Sequence, residues 1–519
     1  ALDCGYVDAI AAHETAILQY VKDYDADFRI LDDAILTTGI GVAFAKEDSR
    51  GLAEQIQKTF SDMQADGTMA RCTESGEEYT VTYTDENGNE ATASSADDYY
   101  KVAKAYALKL IKLKDRALNP DFKEIFDNQI NGCNPANGDV LFELGYVTNS
   151  GGDIGWCHGL SVVNSSKGSG TTYTNLTPSY ACSFAPTDQR LSATCANYRW
   201  LYDNKQNAVD GFSVQPAKWC RLDLVTATES KGTGINWPIL RYADVLLLLA
   251  EAENEINNAP TQTAKDMLKR VRERAFANAS DKTAQVDNYI NALTDHDAFK
   301  QAIINERAWE FGGENIRKFD LIRWNYYSDA IVNTIEWMRD IAINYQQLKL
   351  EGGELIYDKN QPVEVKNIAS RLYFKYQEGK VVFEAGNNNL YTTYYDRSES
   401  PYKEAESLKD DDIKDAGATY EGLKYVSFVD GFISVSEKDP ETNQAYGKDE
   451  AGDPIKKGVV NEKITSSWYG LTAGVLVTGA EDISSLRTKV TPYVFPIPSD
   501  RIMSSGGVLS NDGYAIRNK

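Results

Sequence analysis

The stretch WPILRYADVLLLLAEAENEIN, Trp237 to Asn257, holds an apolar run, Val245 to Ala250, surrounded by Arg241, Asp244, Glu251, Glu253 and Glu255. Residues three and four apart share a face of a helix. Read as one helix, the stretch lines Arg241, Asp244, Leu248, Glu251 and Glu255 along one stripe and leaves Leu240, Ala243, Leu246, Leu247, Leu249 and Ala250 on the other faces. A helix apolar over most of its surface is packed on several sides, so the charged stripe must meet another element rather than water alone. Residues 305–325, NERAWEFGGENIRKFDLIRWN, carry matching charges: Glu306 and Arg307 near one helix end, a Gly312-Gly313 break, then Arg317, Asp320 and Arg323 at spacings of three. The expectation is an ion network joining the two segments. Such a network costs desolvation and specifies packing more than it stabilises. Arginines beside these carboxylates hold them ionised, whereas a glycosidase needs one carboxyl with a raised pKa.

Around this pair the chain changes texture. Over residues 5–75, VDAIAA, FRIL and GIGVAFA read as strands and SRGLAEQIQKTFSDMQ as an amphipathic helix, which is α/β character. Alternating Tyr, Val and Thr around Asn87-Gly88 predict a hairpin that also marks a boundary. We therefore divide the chain into 1–95 and 96–519. ADDYYKVAKAYALKLIKL predicts a helix capped by Ser95 or Asp97. Residues 131–236 are rich in Gly, Ser, Asn and Thr and read as loops, as does the chain after 350, with its acidic EAESLKDDDIKD. Further helices are predicted at 262–275, 297–312 and 316–348. The pairing of 262–275 with 297–312 loosely suggests helix-pair repeats of the tetratricopeptide type.

A formal net charge of −23 over 519 residues makes phosphate-rich partners, nucleic acid and anionic lipid, poor ones. Neutral ligands such as glycans, or cationic ones, fit better. The seven cysteines, all at or before 220, show no C-x-x-C spacing, and three histidines exclude a His-rich metal site. No cofactor is expected. No stretch approaches the roughly 18 apolar residues of a membrane span, no signal peptide is legible, and Ala-Leu-Asp ahead of Cys4 is a poor lipobox.

WPILRYADVLLLLAEAENEIN resembles the P-x-x-R-Y-A-D-x-L-L-x-x-A-E-A helix of the SusD/RagB family, and ERAWEFGGENIRKFDLIRW resembles that family's E-R-x-x-E-x-x-x-E-x-x-R-x-F-D-L-x-R-W segment. NGDVLFELGY at 137–146 and the closing YVFPIPSDRIMSSGGVLSNDGY are similar to two further segments of the family, in the same order. The resemblance implies a mainly α fold, with tetratricopeptide-like helix pairs supporting a loop-rich ligand face. It also implies a non-catalytic, surface-exposed outer-membrane lipoprotein that captures glycans, or in some branches peptides. Such a protein hands its ligand to a SusC-like TonB-dependent barrel transporter and holds the membrane through a lipid anchor. The front departs from that pattern. Residues 5–75 resemble the C-terminal part of a periplasmic amino-acid-binding protein, without its first lobe and with His13 where that family often has Asp. An amino-acid receptor and a helical scaffold with protein partners alone are the competing readings.

Sugar rings stack on aromatic faces while amides and carboxylates take the hydroxyls. The candidates lie in loops: Trp156 after GGDIG, Tyr173 and Tyr180 flanking a Thr/Asn/Pro loop, and Tyr198, Trp200 and Tyr202 in YRWLY beside Asp203 and Asn204. In a strand the last three aromatics face one side and form a stacking platform. Trp237, Trp309, Trp324 and Trp337 read as scaffold, and Trp468-Tyr469 as a weaker loop candidate.

Overall fold

The computed structural model describes residues 80–130, 132, 135, 138–226, 228, 231–352, 354–360, 371–383, 422–427 and 433–460. From Thr82 onward these fall in one compact unit. The readings over 5–75, the acidic segment, Trp468-Tyr469 and the closing motif lie outside the described residues.

The chain opens with the hairpin β1 (Val81–Thr84) and β2 (Glu90–Ala93). In its turn Asp85 Oδ1 accepts the N–H groups of Asn87 and Asn89 at 2.9 and 2.8 Å, and Gly88 takes φ +88°. Helix α1 (Ala96–Leu113) starts where Ser95 Oγ accepts the Asp98 N–H and stops at Lys114 in the left-handed region. There follow α2 (Phe122–Ile130), β3 (Val140–Leu144), α3 (Ile154–Cys157), β4 (Val162–Ser165), β5 (Gly168–Gly170), α4 (Pro178–Cys182) and α5 (Gln189–Thr194). Next come β6 (Cys195–Ala196), β7 (Tyr198–Tyr202), β8 (Lys205–Ala208), β9 (Gln215–Pro216) and β10 (Trp237–Arg241). The helical centre is α6 (Tyr242–Asn257), α7 (Gln262–Ala275), α8 (Tyr289–Ala292), α9 (His296–Phe311), α10 (Arg317–Arg323) and α11 (Tyr327–Tyr345). Strands close the described chain: β11 (Leu348–Glu351), β12 (Glu354–Tyr357), β13 (Arg371–Gln377), β14 (Lys380–Phe383), β15 (Lys424–Ser427), β16 (Ile433–Ser436) and β17 (Lys457–Val460).

The described residues thus combine a helical core with small sheets. The sheets run β10-β3, β5-β4-β7-β8, β6-β9, β11-β12-β17-β16 and β14-β13-β15, all paired antiparallel except β4 with β7. Two expectations change here. The described chain after 350 is half strand where loop was expected, and the described part of 131–236 holds seven short strands, three short α-helices and two 3-10 turns with their loops between. The stretch 237–257 is a strand and then a helix: Pro238 has no N–H and cannot sit inside a helix, so Trp237–Arg241 pairs with β3 before α6 begins. Likewise the predicted helix 316–348 breaks at Asn325, which takes φ 53° between α10 and α11.

Helix α6 packs against α1, α7 and α9. Tyr242, Leu246, Leu247 and Ala250 join Leu268 and Val271 of α7 and Phe299 and Ile303 of α9 in one apolar core. The charges separate into two clusters rather than one stripe. Because Arg241 ends a strand, it does not share a helix face with Asp244. Its Nη1 donates to Glu310 at 2.8 Å, and its Nη2 and Nε donate to Glu314 at 2.8 and 2.9 Å. Glu310 also accepts from Arg274 at 2.6 Å and Arg190 at 3.3 Å, while Glu306 accepts from Arg190 at 2.8 Å and Arg272 at 2.7 Å. Lys218 donates to Glu314, Arg274 reaches Asp139, and Arg190 reaches Asp188. Every member is buried. Five cations (Arg190, Lys218, Arg241, Arg272, Arg274) thus face five carboxylates (Asp139, Asp188, Glu306, Glu310, Glu314). Only Arg241 and Glu306 of these ten are singled out by sequence reading. The spacing of four from Glu306 to Glu310 within α9 is the signal that marks one more, while Glu314 lies past the helix end.

The second cluster ties α6 to α9 and α10. Arg307 pairs with Asp244 and, through Nε at 2.7 Å, with Asp320. Arg323 links Asp320 at 3.0 Å to Glu251 at 2.8 Å, and Trp324 Nε1 donates to Glu251 at 2.8 Å. Arg317 has a different role: its Nη1 donates to the Ile304 carbonyl at 2.8 Å.

Candidate ligand-binding site

Two of the loop aromatics meet. Helix α3 is a single turn, with Cys157 N–H and His158 N–H bonded to the Asp153 and Ile154 carbonyls at 3.0 and 2.9 Å. The chain leaving β5 is tied to it: Thr171 N–H donates to the Trp156 carbonyl at 2.7 Å and Tyr173 N–H to the Cys157 carbonyl at 2.9 Å. So close an approach requires glycine at 170, where a Cβ would lie 2.5 Å from the Gly155 carbonyl oxygen. The result sets Tyr173 edge-on to Trp156, ring centroids 5.4 Å apart at 82°. Trp156 is half-buried and Tyr173 is 66% exposed. Lys231 Nζ stands 4.2 Å from the Trp156 ring centroid, a cation–π contact.

Behind the pair, His158 anchors the turn. Its Nε2 donates to the Gly313 carbonyl and its Nδ1 accepts from Thr174 Oγ1 at 3.4 Å. Burial pulls the imidazole pKa below its usual value, so the ring is held neutral against Trp219 and Trp237. Trp219 is fully buried and stacks on Trp237 at 5.4 Å. Thr172 and Thr174 flank Tyr173, and Asn175 bridges to Gln215 at 3.2 Å. The site therefore offers an exposed ring face, braced from the side and ringed by hydroxyl, amide and ammonium groups. That combination suits the C–H face and hydroxyl rim of a sugar.

The other candidates do not join this pair. Tyr180 lies in α4, its ring T-shaped on Phe184 at 5.1 Å and its hydroxyl donating to the Ala308 carbonyl at 2.9 Å. It packs against the core and braces the frame, and burial pushes its phenol well above the usual range. In YRWLY, Tyr198 and Trp200 do point one way, but they pack on the Leu160, Val162 and Ala217 cluster with rings at 88° to each other. A register shift between Trp200 and Tyr202 leaves Tyr202 49% exposed by itself, so no flat platform of three forms. Asp203 Oδ1 accepts the Ser166 N–H at 2.7 Å and caps the neighbouring turn. Asn204 sits in the β7–β8 turn, its carbonyl close against Gly379. Trp309 donates to Ser183 at 2.9 Å and Trp337 packs on the core beside Met338. A polar recess of about 790 Å³ lies by Tyr357, Gln346 and Asn443, and no sequence-predicted residue lines it.

The four described cysteines, Cys157, Cys182, Cys195 and Cys220, are free thiols. Burial pushes Cys220 up to about 12, so it stays protonated.

The family model described as the SusD family matches residues 183–514, more than half of the chain. A SusD-like protein P25 from Formosa agariphila is 41% identical over 93 residues, 18% of this chain and 16% of that one. A SusD homolog from Bacteroides thetaiotaomicron is 26% identical, with a TM-score of 0.43 over 47% of this chain and 51% of its own. Surface glycan-binding protein A of the same organism, solved in complex with laminarihexaose, is 20% identical, with a TM-score of 0.35 over 45% of this chain and 52% of its own. The chain thus spans a sixth of the curated relative and about half of these solved structures. The resemblance of 5–75 to an amino-acid-binding protein finds no support in these matches.

Proposed function

The chain belongs to the SusD family, and from that premise we propose that it is a non-catalytic glycan-binding protein of the outer-membrane surface. It captures oligo- or polysaccharide and delivers it to a SusC-like TonB-dependent transporter, to which a lipid anchor keeps it adjacent. The observation that carries the reading on this chain is Tyr173, exposed and braced by Trp156 at 5.4 Å. We place the start of the SusD-like part near 96, because α1 packs along α6. The four-residue link between α6 and α7, and their packing, support a tetratricopeptide-like pair.

Affinity electrophoresis against a polysaccharide panel tests the function. The wild-type chain is retarded by at least one glycan, and Tyr173→Ala removes most of that retardation. Unchanged retardation of the variant would take the site away from this pair. Binding to peptides and to no glycan would move the chain to the peptide-binding branch.

A further inference from the structure

The outward face of YRWLY carries Arg199, between the two aromatics that pack inward. Its strand partner is Asn207 of β8. Together with Asp210, Ser213, Val426 and Ser427 they line a recess of about 410 Å³. The recess is built on fixed backbone. Gln206 N–H donates to the Gly379 carbonyl at 2.8 Å, and Val381 N–H donates to Gln206 Oε1 at 3.0 Å, which ties β8 to the β13–β14 turn. Tyr376, 40% exposed on β13, donates its hydroxyl to Asn207 Oδ1 at 3.2 Å. Asp210 accepts the Phe212 N–H at 3.1 Å and so caps the next turn.

Arg199 differs from the arginines of the frame. Arg190, Arg241, Arg272, Arg274 and Arg307 each face carboxylates within hydrogen-bond distance. Among the described residues none accepts a hydrogen bond from the Arg199 guanidinium. The net charge of −23 repels anions from most of the surface, and Asp210 adds a carboxylate to this recess, so an uncommitted guanidinium beside the Asn207 amide and the Ser213 and Ser427 hydroxyls is the group that opens it locally to an anion. Its planar fork matches a carboxylate or a sulfate ester with two parallel hydrogen bonds.

We propose that this recess takes the anionic substituent of an acidic saccharide, with Arg199 gripping the charge and Asn207, Ser213 and Tyr376 taking ring hydroxyls. The inference rests on the glycan-binding reading and names the class of glycan. Uronic-acid and sulfated sugars share the chemistry, and the experiment separates them.

The test is a glycan array carrying neutral, uronate-containing and sulfated oligosaccharides, probed with wild type, Arg199→Ala and Arg199→Lys. Wild type binds one acidic subset at least about tenfold more strongly than its neutral counterparts, and Arg199→Ala loses that margin. Arg199→Lys keeps the charge without the fork and regains only part of it. The subset that falls identifies carboxylate or sulfate. Raising sodium chloride from about 0.05 to about 0.5 M weakens acidic binding and spares neutral binding. Arg199 is exposed, so an unchanged melting temperature verifies the fold of both variants. Neutral binding alone, or an acidic preference that survives Arg199→Ala, overturns this inference and leaves the glycan reading standing. Binding to no glycan overturns both.

Discussion

Replacing Glu310 by Gln tests the buried frame at its centre. The carboxylate accepts from Arg241 at 2.8 Å, Arg274 at 2.6 Å and Arg190 at 3.3 Å, all inside the fold. Glutamine keeps the shape and removes the charge, so five cations face four carboxylates and an amide N–H₂ points at a guanidinium. Removing one partner from a buried pair costs roughly 3–5 kcal/mol, mostly because the remaining charge is left uncompensated. Against a typical total of roughly 5–15 kcal/mol, that loss is about a fifth or more of the stability. Urea unfolding followed by tryptophan fluorescence measures it by linear extrapolation. The pH dependence provides a second reading. Burial alone would raise the Glu310 carboxyl, but Arg274, Arg241 and Arg190 outweigh it and hold the group well below the usual carboxylate range. The unfolded chain therefore binds a proton near pH 4–5 that the folded chain refuses. This contribution is fully present above that pH and is lost as pH falls, so stability declines on acidification. Glu310→Gln should flatten that decline. A loss under about 1 kcal/mol, or an unaltered acid slope, would refute the reasoning.

Two further outcomes follow from named contacts. Gly312→Ala places a Cβ 1.8 Å from the Tyr180 hydroxyl oxygen, which should cost about 1–3 kcal/mol by urea unfolding. Tyr180→Phe removes the nearer clashing atom and leaves the ring Cζ at 2.4 Å, so the double variant should lose less than the sum of the singles. Alkylation at pH 8 followed by mass spectrometry should leave Cys220 unmodified in the native protein and label it after unfolding, since burial holds its thiol near 12.

The helices were the most legible part of the chain. Periodicity placed α7 at 262–275 and α9 within one residue, because their apolar faces repeat at helical spacing. It failed where one residue overrides a pattern: Pro238 turns the head of the central stretch into a strand, and Asn325 divides the long final helix. Trp156 and Tyr173 were each legible as loop aromatics, but their meeting depends on two backbone hydrogen bonds, Thr171 to Trp156 and Tyr173 to Cys157, that no local pattern announces. Composition could not separate Tyr173 from Tyr180, since a ring beside Pro178 reads alike whether its hydroxyl meets water or the Ala308 carbonyl. Arg199 went unread because the aromatics of YRWLY drew the reading to the opposite face of the strand, where Tyr198 and Trp200 pack inward.

The ten-membered frame sums to no net charge, so the whole excess of 23 negative charges resides elsewhere on the chain. The molecule therefore holds two electrostatic regimes. Outside, charges are damped by dissolved ions over about 10 Å at 0.1 M salt, and their mutual repulsion rises and falls with the medium. Inside, guanidinium and carboxylate meet where ions do not enter. Brine or fresh water would retune how the exterior greets a ligand while the scaffold that aims the binding loops stays insulated from the change.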